Sequence, residues 1–562
     1  RSARLNSSLS TARRDIALFQ HHDAITGTSK KHVMDDYFKR LRSAHRVISS
    51  EQAAALSVFS GVASDSLTSL DETPTDDSVQ MPPDYVIRLS ENKIVFLLIF
   101  NQRTDSSNSK IRVVVDTESV RVVDEKGQEV AGQISPLFLP RNTLPEKGLF
   151  EVIFVARVGL LNVTTFTVEN QKSSLIRPAE IYSNSMDAKF KPLSTNNVEF
   201  KNDRLTLNLS AGDVSNIVLD GRPVNVSFGF STEQDAGGSY VFEWMHLRKN
   251  LSRAELTFFV DGSIEKRLIT FHANRSVQRV LTLDCSSGLP VLSSLDVRVF
   301  PTTPLRESLF FDISTSLFHN LHFSTDVNGL YMMRRSYNKE KNVAANVFPA
   351  STSSWIEDGL TRLTVHHGQP NGVVGTPEGE MRVMIDRVLQ ADDGKGLPYG
   401  EDHDTHKPDV HLRLVFEGRS LSSDSSSGCC HSIDSSFVLS SLRFPPQLFI
   451  FNGSKKAVSH AGTEPSIPWP CELELVTLRM LSEKKALAVI RRLSFDSSVS
   501  SRLLRHCHTD MAPAFALMER LASGGVSHCN LAATEVGAAS TLDSFRGALS
   551  QPFAIASFLL QL

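Results

Sequence analysis

The feature that most constrains this chain is a change in the period of its apolar residues. Near the start, Val33, Tyr37, Leu41, Ala44 and Ile48 recur at spacings of three and four. That spacing lays one apolar stripe along a helix, with Lys and Arg on the opposite face. Ala12–Phe19 before it and Gln52–Phe59 after it can supply two partner helices, so a three-helix bundle is expected. From Ser64 to Pro83 the composition shifts to Ser, Thr, Asp and Pro, which reads as a linker. After it the period falls to two. Ile111–Val123 alternates, and Asp124-Glu125-Lys126-Gly127 offers a turn before another alternating run. Leu256–Val260, Asp261-Gly262 and Ile264–Phe271 read as a hairpin. Short strands of this kind recur to about residue 450, which argues for antiparallel β-sandwich architecture within an α+β multidomain chain. The Ser-, Ala- and Leu-rich stretch from about Asp496 to Ser550 carries no pattern that places it.

Length and charge narrow the function classes. The 562 residues are 41% hydrophobic and 22% charged, ordinary values for a globular chain of several domains. A net charge of −3 supplies no field for a polyanion, so nucleic acid is not an expected partner. The longest apolar run, Ile94–Phe100, is far too short to span a bilayer. Arg1-Ser2-Ala3-Arg4 has neither an initiator Met nor the apolar segment of a signal peptide, so the chain is expected to be a piece whose N-terminal part is missing. Asn-x-Ser/Thr triplets stand at Asn6, Asn162, Asn208, Asn225, Asn250, Asn274 and Asn452. The six cysteines (Cys285, Cys429, Cys430, Cys471, Cys507, Cys529) are scattered without a C-x-x-C spacing. Disulfides in an oxidising lumen fit them better than a zinc ribbon, and the pairing stays open.

The chemistry concentrates in Phe19-Gln20-His21-His22-Asp23-Ala24-Ile25-Thr26-Gly27-Thr28. Two imidazoles beside a carboxylate are ligand types that zinc accepts, but a catalytic zinc takes about three protein ligands and this cluster can aim only one or two inward. Thr26-Gly27-Thr28-Ser29 breaks the first helix and can cap the next, leaving His22 and Asp23 at a helix C-terminal end. On ligand chemistry alone, a cap or a solvated turn is the more frequent account of such a triplet, and the metal reading holds in about one case in five. Two other clusters compete for metal: His403, His406 and His411 in an Asp- and Gly-rich loop, and Cys429-Cys430-His431. Neither has a familiar ligand spacing. Asp386, Asp392 and Asp393 could suggest a glycosidase carboxyl pair, but the required gap of about 5–5.5 or 6.5–9.5 Å cannot be read from neighbours in sequence. Surface turn residues are the simpler reading of these carboxylates.

The stretch Ala17–Thr28, followed by His32-Val33 and Asp36-Tyr37, resembles the middle region of the class II α-mannosidases, zinc-dependent retaining glycoside hydrolases. Further similar segments follow in the family's order. Gly238-Ser239-Tyr240-Val241-Phe242 resembles its Gly-Ala-Tyr-Leu-Phe segment, and Thr325-Asp326-Val327-Asn328-Gly329 its Thr-Asp-Leu-Asn-Gly stretch. Met384-Ile385-Asp386-Arg387 through Asp392-Asp393-Gly394-Lys395-Gly396-Leu397 resembles its Met-x-Asp-Arg-Arg…Asp-Asp-Asn-Arg-Gly-Leu run, and Phe553–Phe558 its closing strand. Gly396-Leu397 and Gly400 favour the Golgi type over the lysosomal type.

The resemblance implies a helical bundle over residues 1–65, a linker over 66–83, a small β-sandwich domain over 84–185 and a large β-sandwich domain over 186–562. It implies that His22 is a zinc ligand, that Asp23 accepts hydrogen bonds from substrate hydroxyls, and that Tyr240 gives its phenol to the sugar. The Asp393–Gly396 turn would close the site, with Lys395 where the Golgi enzymes usually carry Arg and Val388 where they carry a second Arg. Lys lacks the planar fork of Arg, which bears on fine substrate preference. Nucleophile, acid and the other zinc ligands belong to an upstream β/α domain in this family, and none of their motifs occurs here. The chain alone is thus expected to be inactive, with no catalytic residue of its own. The parent would be a glycosidase of the Golgi lumen acting on mannose-containing N-glycans, with any membrane anchor upstream and a homodimer admitted. The rival from another class is a non-catalytic carbohydrate-binding or scaffold relic of such an enzyme.

Overall fold

The structure is a computed structural model. It describes all residues except 1, 71–85, 90–93, 186, 188, 194–195, 211–212, 244–247, 303–306, 318–321, 398, 400–406, 421–429, 453–468, 500, 502 and 504–506. Most of the linker, together with His403, His406, Cys429 and Gly400, lies outside the described residues.

Two helices open the chain, α1 (Ser2–Phe19) and α2 (Lys31–Ser60). They pack as a hairpin, with Phe19 edge-on to Tyr37 at 5.9 Å between ring centroids. The stripe read from the sequence faces inward: Ala44 is buried and Val33, Tyr37, Leu41 and Ile48 are half-buried, while Asp35, Asp36, Lys39 and Arg46 are exposed. The expected third helix is the second half of α2. Ser49-Ser50-Glu51-Gln52 contains neither Gly nor Pro, so nothing interrupts the intrahelical ladder until Gly61, whose φ of 68° forms a left-handed cap. The described helical region is therefore a two-helix hairpin. Ala53 and Leu56 of α2 then pack on Phe96, Leu98, Phe449 and Phe451 of the following sheet.

The rest is mostly antiparallel sheet. Two five-stranded sheets share one core built from Val95, Leu97, Ile99, Ile111, Val113, Val152, Phe154 and Val168. Leu67–Ser69, within the stretch read as linker, is a strand of the first sheet and pairs with Gln447–Asn452. The latter returns from nearly 400 residues downstream (Gln447 faces Phe100). The Asp124 turn forms as its residues dictate, the carboxylate accepting the amides of Lys126 at 2.9 Å and Gln128 at 2.8 Å. The large β region combines an eleven-stranded, a six-stranded and a four-stranded sheet around one apolar cluster. The hairpin read at Asp261-Gly262 is present, Leu256–Asp261 pairing antiparallel with Glu265–His272.

The unplaced tail forms a sheet of its own, with Ile555–Gln561 between Lys485–Arg492 and Gly525–Cys529. Helices Ala512–Leu521 and Leu542–Ala548 cover one face through Phe515, Met518 and Phe545. Cys471 and Cys507 form a disulfide at its start. Alternation missed this region because helices interrupt its strands.

The small and large β regions meet through buried charges. Glu265, fully buried, accepts from Lys110 Nζ at 2.6 Å and from Arg112 Nη2 at 2.8 Å. Lys110 also reaches Asp284 at 2.5 Å, and Glu151 bridges Arg112 at 2.5 Å and Arg267 at 2.7 Å. Three cations and three carboxylates alternate, so no buried charge lacks an opposite neighbour.

Candidate functional site

The α1–α2 connection is a tight turn with side chains folded onto it. Gly27, at φ 71°, takes the left-handed conformation that lets the backbone reverse after Asp23. Thr28 Oγ1 donates to Asp23 Oδ1 at 3.0 Å, Ser29 Oγ donates to the Asp23 carbonyl at 2.8 Å, and Thr26 Oγ1 donates to the His22 carbonyl. These hydroxyls turn back into the loop rather than capping α2, whose N-cap Lys30 makes no side-chain cap. They serve to hold Asp23. The Thr28 hydroxyl is the largest reason that the Asp23 carboxyl lies below its ordinary value; partial desolvation opposes it, and Tyr240, His22 and His21 add to it.

His21 Nε2 stands 3.3 Å and His22 Nε2 3.7 Å from Asp23 Oδ2. A donor atom of each of the three residues lies within 4.8 Å of the other two. Two imidazole nitrogens and a carboxylate oxygen fit the donor preference of zinc. The His22 side chain is 84% exposed and so open to further ligands from outside this chain. The sequence reading allowed the triplet only one or two ligands aimed inward, whereas donor atoms of all three residues converge here.

The rival clusters do not converge among the described residues. His411 Nε2 pairs with Asp296 at 2.6 Å, and His431 is packed against the Trp355 and His366 rings. The carboxylates Asp392 and Asp393 bind backbone instead. Burial would push Asp392 up, but the amides of Lys395, Gly396, Leu397 and Gly394 hold it below its ordinary value. Asp392 thereby closes the turn that exposes Lys395.

Asp393 reaches the other way. Its Oδ2 accepts the amides of Tyr240 at 2.6 Å and Val241 at 3.2 Å. Tyr240, 53% exposed, in turn donates its phenol to Asp23 Oδ1 at 3.1 Å. Residues 23, 240 and 393 are thus linked in one hydrogen-bonded chain, with Lys395 two residues beyond it. The sequence signalled His22, Asp23, Tyr240 and Lys395, and the fold brings their segments together. It did not signal Thr28 as a partner of Asp23, because a hydroxyl in a turn is common and carries no distinguishing spacing.

Residues 2–58 match the family model described as the α-mannosidase middle domain. The chain is 26% identical over 553 residues to human α-mannosidase 2, covering 89% of this chain and 47% of that protein. It is 25% identical to mouse α-mannosidase 2x, covering 92% and 48%. Bovine lysosomal α-mannosidase is 24% identical over a shorter 68% of the chain and 37% of its own length. Among solved structures, a glycosyl hydrolase family 38 protein from Enterococcus faecalis superposes with a TM-score of 0.57 at 12% identity, over 98% of this chain and 65% of that one. An α-mannosidase from the same organism gives 0.55 at 11% identity, over 87% and 58%. The chain spans about half the length of the curated relatives it matches. Among the described residues no helix is long and apolar enough to cross a membrane. The middle-domain match over residues 2–58, the α-mannosidase relatives along most of the chain and the fold shared with glycosyl hydrolase family 38 structures make the class II α-mannosidases the family this chain is similar to.

Proposed function

We propose that this chain supplies one wall of the sugar site of a zinc-dependent, retaining α-mannosidase acting on mannose-containing N-glycans in the Golgi lumen. The observation that carries this reading is the 3.1 Å contact from the Tyr240 phenol to Asp23 Oδ1, beside the imidazoles of His21 and His22. It joins residues more than 200 positions apart into one exposed polar wall next to a metal-type donor set. Zinc, when bound, polarises oxygen and orients the sugar. His22 would hold it, with His21 and Asp23 adjacent. Asp23, held in place by the Thr28 hydroxyl, is suited to accept from sugar hydroxyls. Tyr240 orients its hydroxyl toward Asp23 and gives it its one proton, so a sugar hydroxyl entering there meets two acceptor oxygens at known positions, and the phenol donates to the sugar only by leaving Asp23. Lys395, exposed on the turn next to Asp393, would offer the sugar a point charge rather than a planar fork.

The assay is zinc retention and aryl α-mannoside hydrolysis by the protein extended with its upstream region, compared with its His22→Ala variant. Zinc content near one per chain, lost in the variant together with hydrolysis, is the expected outcome. A soluble extended protein that neither retains zinc nor cleaves the mannoside would overturn the reading in favour of a non-catalytic carbohydrate-binding relic.

A further inference from the structure

The segment that carries Tyr240 is a loop, yet it is held from below at more points than its exposure requires. Asp235, wholly buried, accepts the amides of Gly237 at 2.9 Å and Glu243 at 3.1 Å through Oδ1, at the two ends of the loop. Its other oxygen accepts from Arg387 Nε at 2.7 Å. Arg387 then reaches up into the loop. Its Nη2 donates to the carbonyls of Gly238 at 2.8 Å and Val241 at 3.2 Å, and its Nη1 donates to the carbonyl of Ser239 at 3.3 Å. The guanidinium also lies 4.7 Å from the centre of the Phe242 ring. A planar five-donor group is the side chain able to serve several carbonyls and a carboxylate together. From the far side, Asp393 Oδ2 holds the amides of Tyr240 and Val241. The fit is close: a Cβ on Gly237 would stand 1.8 Å from the Val241 carbonyl oxygen, and one on Gly238 2.6 Å from the Asp393 amide.

We propose that Asp235, Arg387 and Asp393 are positioning residues that fix the Tyr240 phenol against Asp23, coupling the large β region to the α1–α2 turn. This rests on the reading of Tyr240 and Asp23 as one sugar-facing wall. Arg387 sets the carbonyl side of the loop, Asp393 sets its amide side, and Asp235 anchors both the loop ends and the guanidinium. Between them the phenol is brought within hydrogen-bond reach of a residue on a different element. The cost of ordering a loop of this exposure is thereby met before any ligand arrives. The arrangement also assigns separate tasks to adjacent carboxylates: Asp392 shapes its own turn, and Asp393 ties that turn to Tyr240.

The experiment uses the whole chain labelled with 3-fluorotyrosine, with the Tyr240 fluorine resonance identified by its absence in Tyr240→Phe. Asp23→Asn should displace that resonance in the otherwise unchanged chain. In Arg387→Ala or Asp393→Ala the same Asp23→Asn change should displace it at least about fourfold less, because the phenol no longer meets residue 23. Arg387→Lys, retaining one arm of the fork, should fall between, and Asp393→Asn, which keeps an acceptor oxygen, should preserve the response. The other tyrosine resonances report the fold; if Arg387→Ala collapses them, Asp393→Ala decides. An undiminished response in Asp393→Ala and Arg387→Lys overturns the proposal, since a merely structural role leaves the coupling intact. Methyl α-mannoside added to the extended, zinc-retaining protein separates the two claims. If it leaves the Tyr240 resonance unmoved while the coupling to Asp23 persists, the sugar reading falls and the positioning stands.

Discussion

Replacing Glu265 by Gln tests whether the charges between the two β regions act as a buried network. Glu265 is fully buried and faces three cations, Lys110 at 2.6 Å, Arg112 at 2.8 Å and Arg267 at 3.2 Å. Gln keeps the shape but removes the charge, so three cations then share the two remaining carboxylates, Glu151 and Asp284. Breaking a buried pair from one side costs roughly 3–5 kcal/mol. Each cation keeps one carboxylate at 2.5–2.7 Å, which places the loss at the lower end, about 3 kcal/mol. Hydrogen exchange of strands Ser107–Val115 and Glu265–His272 is the suitable assay, because a chain of several domains does not unfold in two states. Opening there should rise by about 10². The effect should survive 1 M salt, which screens exposed pairs over about 3 Å. Burial opposes ionisation of Glu265, but Arg112, Lys110 and Arg267 hold its carboxyl far below the ordinary value. Its stabilisation is therefore present above the unfolded pKa near 4.5 and lost as pH falls below it, so the difference between variant and parent should shrink in acid. A loss under about 1 kcal/mol, or one abolished by salt, would refute the network reasoning.

Three further outcomes are expected. Gly238→Ala drives a Cβ to 2.6 Å from the Asp393 amide, and should displace the Tyr240 loop and abolish the phenol–Asp23 contact while leaving the thermal transition of the tail sheet unchanged. Burial raises the Glu417 carboxyl to about 7, with Asp434 and Asp496 adding to it while Ser432 and Arg362 oppose it. A raised folded value gives stability that is present below the unfolded pKa and lost as pH rises through 7, so Glu417→Gln should gain about 3 kcal/mol on the parent between pH 4 and 8, read from hydrogen exchange of strand Val410–Gly418. Burial conversely lowers His272 and His367 to about 4 and His431 to about 3. These depressed values make stability present above about pH 6.5 and lost on acidification, at about 1.4 kcal/mol per pH unit for each histidine. Unfolding near pH 5 should take up about three protons from them, and a histidine contribution below one would contradict their burial.

Much of the architecture was legible because local patterns and global fold agree. The helical stripe through Val33 and Ile48 faces inward, and the Asp124 and Asp261 turns stand where their residues require them. The misread features are those in which tertiary packing had the deciding vote. The second and third expected helices are one, since a Ser-rich stretch with no breaker continues a ladder already nucleated. The tail hides a sheet because its strands are separated by helices and pair across long stretches of sequence. The strand Gln447–Asn452 joins a sheet begun near residue 67, a pairing no local period encodes.

The candidate site divides in the same way. By itself the sequence determined which residue types stand in which motifs: the His21-His22-Asp23 triplet, the glycines that allow a tight loop before Tyr240, and the paired aspartates before Lys395. Only the tertiary structure decided that His21 converges with His22, that Thr28 donates to Asp23, and that Arg387 and Asp393 place Tyr240 beside Asp23. Motif chemistry is carried by residue identity and spacing along one segment. A hydrogen bond at 3.1 Å between residues 23 and 240 depends on where two separately folded elements come to rest, and that is set by the packing of everything between them.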